Sequence, residues 1–126
     1  MTDPADLTAA LRAHAHARGL HTSEAAIELL IGNASWLHRN DFVHPFVHTA
    51  TGLIDGTPMA SIDWATAITA LNNAHLQCSG GEGRILRLAA SLANAIPVDL
   101  QDALTGLDNH NTALTLAAVK HATGHR

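Results

Sequence analysis

Apolar side chains recur at intervals of three and four residues along nearly the whole chain, and this spacing constrains the fold more than any other feature. Such spacing places the side chains on one face of an α-helix. Alanine, the strongest helix former, supplies 24 of the 126 residues, whereas tyrosine is absent. Strands favour β-branched and aromatic residues, and aromatic residues make up only 3% of this chain. The sequence therefore predicts an all-α protein.

Capping residues and helix breakers divide this pattern into six or seven short helices joined by short loops. Asp or Ser stands at the predicted start of each helix, and Gly or Pro follows several of the ends. The predicted helices are Asp3–Arg18, Ser23–Arg39 (with Thr22 as the alternative N-cap), Asp41–Ala50, Asp63–Ala74, Ser79–Ile96, Asp99–Leu104 and Asp108–Ala122. For residues 53–62, which contain Asp55-Gly56 and Pro58, we favour a loop over a tight hairpin, because few residues flank the turn. Residues 1–126 are expected to form a single all-helical domain.

Charge and cysteine content argue against several classes of protein. Eleven acidic residues against seven basic ones give a net charge of -4, which disfavours a polycationic binder of nucleic acids or membrane surfaces. Cys78 is the only cysteine, so no intrachain disulfide can form, and residues 1–11 lack the pattern of a signal peptide. No apolar run approaches the roughly eighteen residues of a membrane span. We therefore expect a cytoplasmic protein with no membrane partner.

The segment Cys78-Ser79-Gly80-Gly81-Glu82-Gly83-Arg84 resembles the signature motif of ABC-type ATPases, in which a helix N-terminus faces a nucleotide phosphate. The rest of that machinery is missing, because no G-x-x-x-x-G-K-[ST] loop precedes the segment and the single lysine lies near the C-terminus. Ser79 and Glu82 also have the S-x-x-E spacing of a capping box. We interpret the segment as the capped start of a helix and expect no nucleotide or other cofactor.

Histidine is unusually frequent, with ten residues in the chain. Two pairs, His44 with His48 and His121 with His125, have the i, i+4 spacing that places both rings on one helical face. Two ligands do not complete a tetrahedral metal site, and neither an H-E-x-x-H motif nor a cysteine pair is present. These four histidines are the metal candidates of the sequence, but the pattern favours solvent-facing side chains over a metal site.

Cys78 is the one candidate nucleophile. It precedes a predicted helix N-terminus, a position that lowers the pKa of a thiol, and His75 lies three residues upstream. A single cysteine of this kind is more often an unreactive residue at the edge of a core. Because the sequence offers no convergent set of titratable residues, an enzymatic function is not favoured.

A helix-turn-helix is the alternative functional interpretation. The Asp63–Ala74 helix, a Gly-containing connection and the helix after Ser79 have suitable lengths, and Arg84 and Arg87 would lie near the N-terminus of the recognition helix. The connection is longer than the usual three or four residues, however, and two arginines release few counterions from DNA. DNA binding through Arg84 and Arg87 is therefore the second hypothesis.

Two segments resemble an uncharacterised family of small all-helical proteins from actinobacteria and their mobile elements. These segments are SGGEGRILRLAASLA, which begins at Ser79, and VDLQDALTGLD, which ends at Asp108; WLHRNDFV, which begins at Trp36, fits the same family. The resemblance implies a helical fold and a bacterial cytosol. It implies no activity and no functional residue.

The function that the sequence favours is that of a helical protein–protein interaction or assembly module, most simply a homodimer. Both faces of the predicted Ser23–Arg39 and Asp41–Ala50 helices carry large apolar groups, and this surplus must be buried somewhere. A partner surface would bury it, and so would a central position in the bundle. A DNA-binding regulator and a histidine-based metal-binding protein are the alternatives.

Overall fold

The computed structural model describes residues 4–51 and 55–125, and helices dominate these ranges. The elements are α1 (Pro4–Arg18), α2 (His21–Asn33), a short 3₁₀ turn (Trp36–His38), α3 (Asn40–Phe46), β1 (Val47–Thr51), β2 (Pro58–Ile62), α4 (Trp64–Asn72), α5 (Gly80–Asn94), α6 (Leu100–Leu104) and α7 (Asn109–Ala122). The predicted all-α class with six or seven helices is thus confirmed, since these ranges contain seven helices, with one small two-stranded sheet added. No helix within them has the length and apolar character needed to cross a bilayer.

Helices α2 and α5 form the centre of the bundle. α2 packs on α1, α5 and α7, and α5 also packs on α4, α6 and α7. The contact face of α2 consists of small and branched apolar residues that are almost fully buried, namely Ala25, Ala26, Leu29 and Leu30. Ile85, Leu86 and Ala89 of α5 are completely buried. Alternating alanine and leucine lets the two helices approach closely while the larger side chains fill the space between them.

Four predicted N-caps are confirmed. They are Asp63, Ser79, Asp99 and Asp108, and each side chain accepts a hydrogen bond from the backbone N–H three residues further on. Ser79 forms the predicted capping box, since the carboxylate of Glu82 accepts the backbone N–H of Ser79 at 2.9 Å in return. Each capping side chain and the N–H that it accepts lie within four consecutive residues, so the sequence alone is enough to identify the cap. Asp3, the predicted cap of the first helix, lies outside the described residues.

The second helix differs from the prediction at both ends. It begins at His21 rather than after Thr22 or Ser23, and it ends at Asn33, where Ala34 adopts a left-handed conformation with φ of 64°. Trp36 follows in the 3₁₀ turn, is fully buried, and donates its indole N–H to the Glu82 carbonyl at 2.9 Å. Burying this large ring with its N–H paired requires the chain to turn toward α5. Tertiary packing therefore ends a helix that the apolar spacing alone would continue to Arg39.

The predicted Asp41–Ala50 helix is wrong beyond Phe46. α3 begins after Arg39, which precedes it without a side-chain cap, and it ends at Phe46, one residue after Pro45, where the chain enters β1. β1 then pairs antiparallel with β2, with Val47 opposite Ile62 and Thr51 opposite Pro58. The loop predicted over residues 53–62 is accordingly wrong for residues 58–62, which form β2. The two strands form a hairpin, but six residues, 52–57, connect them, so it is not the tight hairpin that was the alternative; residues 52–54 lie outside the described residues. Ala60 and Ile62 of β2 are buried on the side of the sheet that packs against α1.

Glu82 connects the start of α5 to the turn that follows α2. Its carboxylate accepts hydrogen bonds from the Ser35 hydroxyl and from the backbone N–H of Ser79. These bonds, with that of Ser35 as the largest cause, lower the pKa of Glu82 below its ordinary value of 4.5. The guanidinium of Arg39 lies over the Trp36 ring at 4.5 Å on the same side of the bundle.

Helices α2 and α7 pack against each other at Gly32. A Cβ atom added at Gly32 would lie only 2.5 Å from Cδ2 of Leu114. The side-chain amide of Asn33 donates to Asn111 Oδ1 at 2.9 Å, and the His110 ring nitrogen lies 3.2 Å from the Gly32 carbonyl oxygen. The N-terminal half of α7 is thereby held against the C-terminal end of α2, so the two helices run antiparallel.

We expect Gly32→Val to destabilise the protein by about 1–3 kcal/mol, the usual cost of overpacking. Valine is the better helix former, so helix propensity alone would give the opposite sign. Adding Leu114→Ala removes the clashing group and is expected to recover part of the loss in a double-mutant cycle. Urea unfolding followed by circular dichroism measures all four variants of the cycle; strictly additive effects would contradict the contact.

The lowered pKa of Glu82 predicts a contribution to acid stability. Because the folded-state pKa is depressed, the contribution is fully present above pH 4.5 and is lost as the pH falls through the folded-state value. In Glu82→Gln the free energy of unfolding should therefore fall less steeply than in the wild type between about pH 5 and 3. Ser35→Ala, which removes the main donor, is expected to act in the same direction. Acid slopes equal to that of the wild type in both variants would refute this role.

Candidate functional site

Neither histidine pair with i, i+4 spacing lies within a single helix. His44 lies in α3 and His48 in β1, because the helix ends at Phe46, so the i, i+4 spacing does not place these exposed rings on one helical face. His125 follows the end of α7, and its Nδ1 lies 3.0 Å from the Thr123 hydroxyl. His121 is the one member that the structure brings to other metal-ligating side chains, and these come from a different helix.

The geometry does not favour Arg84 and Arg87 as DNA-reading residues. α5, which would be the recognition helix, packs against α2, α4, α6 and α7. Arg84 is partly buried and donates from Nε to the Asp102 carbonyl at 2.9 Å, so its guanidinium joins α5 to α6. Arg87 is partly buried as well. A recognition helix presents an exposed face to the major groove, whereas the face of α5 that carries Arg84 and Arg87 is only partly exposed.

Cys78 lacks the environment of an activated nucleophile. Burial of the thiol and the nearby negative charge of Glu82 raise its pKa, although the residue as a whole is exposed. His75, the proposed neighbour, is exposed. The expected depression of the pKa by the helix N-terminus is therefore not found, and the interpretation of Cys78 as an unreactive boundary residue fits the geometry better.

A cluster of three histidines surrounds the carboxylate of Glu24 at the start of α2. Nδ1 of His21 and Nε2 of His121 each lie 3.4 Å from Oε1 of Glu24. Nδ1 of His16, near the end of α1, lies 3.3 Å from the other oxygen, Oε2. One ligand atom from each of His21, Glu24 and His121 lies within 4.8 Å of the other two. Two histidines and a carboxylate thus converge from two helices.

The side chain of Glu24 is mostly buried, but it borders a pocket. The side chains of Glu24 and His121 are 15% and 18% exposed, whereas those of His21 and His16 are more open to solvent. A pocket of about 270 Å³ lies beside them, lined by Arg12, Ala15, His16, Glu24, Ile27, Glu28 and His121. Arg12 binds Glu28 through two nitrogens at 2.8 and 2.9 Å. The Glu24 carboxylate thus borders this pocket together with His121.

The sequence contains a local signal for half of this cluster. His21 and Glu24 stand three residues apart, which places them on one face in the first turn of a helix. Because the predicted helix began at Thr22 or Ser23, His21 lay outside it, and the sequence did not indicate that His21 and Glu24 share a helical face. The approach of His121, 97 residues after Glu24, depends on the packing of α7 against α2.

A second pocket, of about 320 Å³, lies between α1, the start of α4 and the end of α5. Its polar lining includes His14, Arg18, Ser23 and Asp63. The Asp63 carboxylate is already engaged as the N-cap of α4, and the buried Ser23 hydroxyl has no hydrogen-bond partner among the described residues. Within the ranges that the structure covers, three or more metal-ligating side chains gather only around Glu24.

The apolar surplus predicted for the second helix is buried inside the protein. α2 is covered by α1, α5 and α7, so it supplies no free partner surface. Exposed large apolar side chains lie elsewhere, and four of the five found in the described residues are on α6 and α7; the five are Leu20, Leu100, Leu104, Leu116 and Val119. Leu116 is the most exposed of them at 67%, and Val119 follows on the next turn at 53%.

Comparison of the chain with protein-family models, curated proteins and solved structures returns no match. The resemblance to small helical proteins of actinobacteria therefore stays a prediction.

The raised pKa of Cys78 predicts slow alkylation. At neutral pH a smaller fraction of this thiol is ionised than in a free thiol, so iodoacetamide should label Cys78 no faster than glutathione. Mass spectrometry over a time course measures the rate, with the urea-unfolded chain as the reference for an unperturbed cysteine. Labelling clearly faster than that of glutathione would revive the nucleophile hypothesis.

Proposed function

We propose that this protein is a helical interaction module that pairs with a second copy of itself through the outer face of α7. This face consists of Thr112, Ala113, Leu116, Val119 and Lys120, all of which are exposed. The observation that carries the proposal is the exposure of Leu116 and Val119, two large apolar side chains on adjacent turns of one helix. Leaving them in water costs free energy that burial against a partner recovers.

The charge of α7 favours association. The helix contains no acidic residue, and Lys120 is its only permanently charged side chain. The cores of protein interfaces are depleted in charged residues, because each charge must be desolvated when the surfaces meet. Small side chains at positions 113 and 117 flank Leu116 and allow a second helix to approach closely. The outer face of α7 therefore has a low desolvation cost.

The same face is self-complementary. Leu116 lies near the middle of α7, which spans residues 109–122. If two copies pack antiparallel about a twofold axis near Leu116, the two Leu116 side chains meet at the centre. Val119 then lies opposite Ala113 of the second copy, and Lys120 lies opposite its Thr112. A twofold interface requires such self-matching, and this register keeps the two lysines apart at opposite ends.

The association should be weak and reversible. One helix from each copy buries less surface than the about 1,200–2,000 Å² of stable interfaces. The loss of translational and rotational freedom opposes the gain from burying four apolar side chains. We therefore expect a dimer that forms at high protein concentration and dissociates on dilution.

The test is the oligomeric state of the wild type and of Leu116→Glu, measured by sedimentation equilibrium over a range of concentrations. The variant places two negative charges at the centre of the proposed interface, so it is expected to remain monomeric where the wild type dimerises. Leu100→Glu is the matched control, because Leu100 is 57% exposed but lies on α6. This control should dimerise like the wild type.

Two outcomes would contradict the proposal. One is a wild-type chain that stays monomeric at the highest concentration reached. The other is a dimer that Leu116→Glu leaves intact, which would place the interface on another surface. Because position 116 is exposed, the substitution is expected to leave the fold unchanged, and circular dichroism checks this.

A further inference from the structure

We propose that His21, Glu24 and His121 bind a divalent transition-metal ion, with zinc as the best match. This inference goes beyond self-association and does not depend on it. Two imidazoles and one carboxylate form a common ligand set for zinc, in which three protein ligands leave the fourth position to water or another small ligand. The ligand atoms already converge, and they come from residues at the start of α2 and near the end of α7.

The contacts that His21 and His121 make with Glu24 are long for hydrogen bonds and match the spacing of ligand atoms around a metal ion. Hydrogen bonds between nitrogen and oxygen cluster near 2.9–3.0 Å, whereas both imidazole nitrogens here lie 3.4 Å from Oε1 of Glu24. In a tetrahedral zinc site with bonds of about 2.0–2.1 Å, neighbouring ligand atoms are about 3.3 Å apart. The two contacts with Glu24 match this spacing, and the two imidazole nitrogens, which lie within 4.8 Å of each other, need only approach somewhat closer to hold an ion.

Each ligand is held by the fold in a different way. Glu24 stands in the first turn of α2, where the helix dipole stabilises its negative charge and the neighbouring residue Ala25 is fully buried. His121 is placed by the packing of α7 on α2, and its side chain is mostly buried. His21 is the first residue of α2 and is more exposed, and Gly124 packs near its ring. Two of the three ligands are thus sheltered before any ion binds.

His16 and the adjacent pocket complete the arrangement. Nδ1 of His16 lies 3.3 Å from Oε2, whereas His21 and His121 contact the other carboxylate oxygen, Oε1. From this position it orients the carboxylate, the role of partners that hold a ligand from behind. The pocket that borders Glu24 and His121 provides room for a water molecule in the fourth position.

The test is isothermal titration of Zn²⁺ into the full chain after treatment with a chelator, together with the visible spectrum of the Co²⁺ complex. We expect one ion per chain and the intense absorption that tetrahedral Co²⁺ gives. Glu24→Gln, which nearly conserves shape, should weaken binding by more than about 100-fold, and His16→Ala by only about 10–100-fold, the usual effect of losing a partner that orients a ligand.

The other histidines of the chain supply a matched control. The double variant His21→Ala/His121→Ala and the double variant His44→Ala/His48→Ala each remove two imidazoles, but only the first removes proposed ligands. The first should lose the one-to-one site, and the second should bind Zn²⁺ like the wild type. Zn²⁺ should also raise the melting temperature of the wild type and of the control but not of Glu24→Gln, because a ligand that binds only the folded state stabilises it.

The outcomes separate this proposal from self-association. Leu116→Glu should bind Zn²⁺ with wild-type affinity, so loss of the dimer and loss of the site are distinguishable. Equal Zn²⁺ affinity for the wild type and Glu24→Gln would overturn the site, as would binding of several ions that both double variants weaken equally. If His121→Ala fails to fold, Glu24→Gln decides the question on its own.

Discussion

The close approach of α2 and α7 is the contact on which both proposed surfaces depend. Gly32 has no side chain, so Leu114 can occupy the space that a Cβ would fill. The next residue of α2, Asn33, is hydrogen-bonded to Asn111, which lies one turn before Leu114 on α7. With the helices fixed at this end and running antiparallel, the last turn of α7 arrives beside the first turn of α2. That geometry brings His121 to Glu24. The cluster at the start of α2 therefore depends on how α2 and α7 pack at the other end of the pair, around Gly32.

Because α7 packs through one side only, it presents two faces with different chemistry. The side that meets α2 carries Asn111, Thr115 and Ala118, which are buried, and ends with His121. The other side carries Leu116 and Val119, which are exposed. A helix at the edge of a bundle can take part in a site within its own chain and also offer a surface to a second chain. The two proposed roles of α7 use different side chains, so each can be removed without the other.

Local interactions account for the parts of the fold that were predicted correctly. Asp63, Ser79, Asp99 and Asp108 each bond to a backbone N–H three residues away, so the sequence alone contains both partners. The errors occur where distant residues decide. Trp36 ends the second helix early because its ring and indole N–H are buried against α5, and Val47 joins a strand because residues 58–62 are available to pair with it. Apolar spacing cannot reveal either partner, because a buried strand and one face of a helix can share the same short run of residues.

By itself the sequence determined that the chain is helical and where most helices begin, and it drew attention to the many histidines. Only the tertiary structure decided which histidines meet. The i, i+4 spacing of His44 with His48 and of His121 with His125 does not fall within one helix, since α3 ends before His48 and His125 lies beyond α7. The cluster instead joins residues 97 positions apart, His121 and Glu24. The physical reason is that helix formation and capping depend on neighbours within one turn, whereas the convergence of ligands depends on which helix faces pack together.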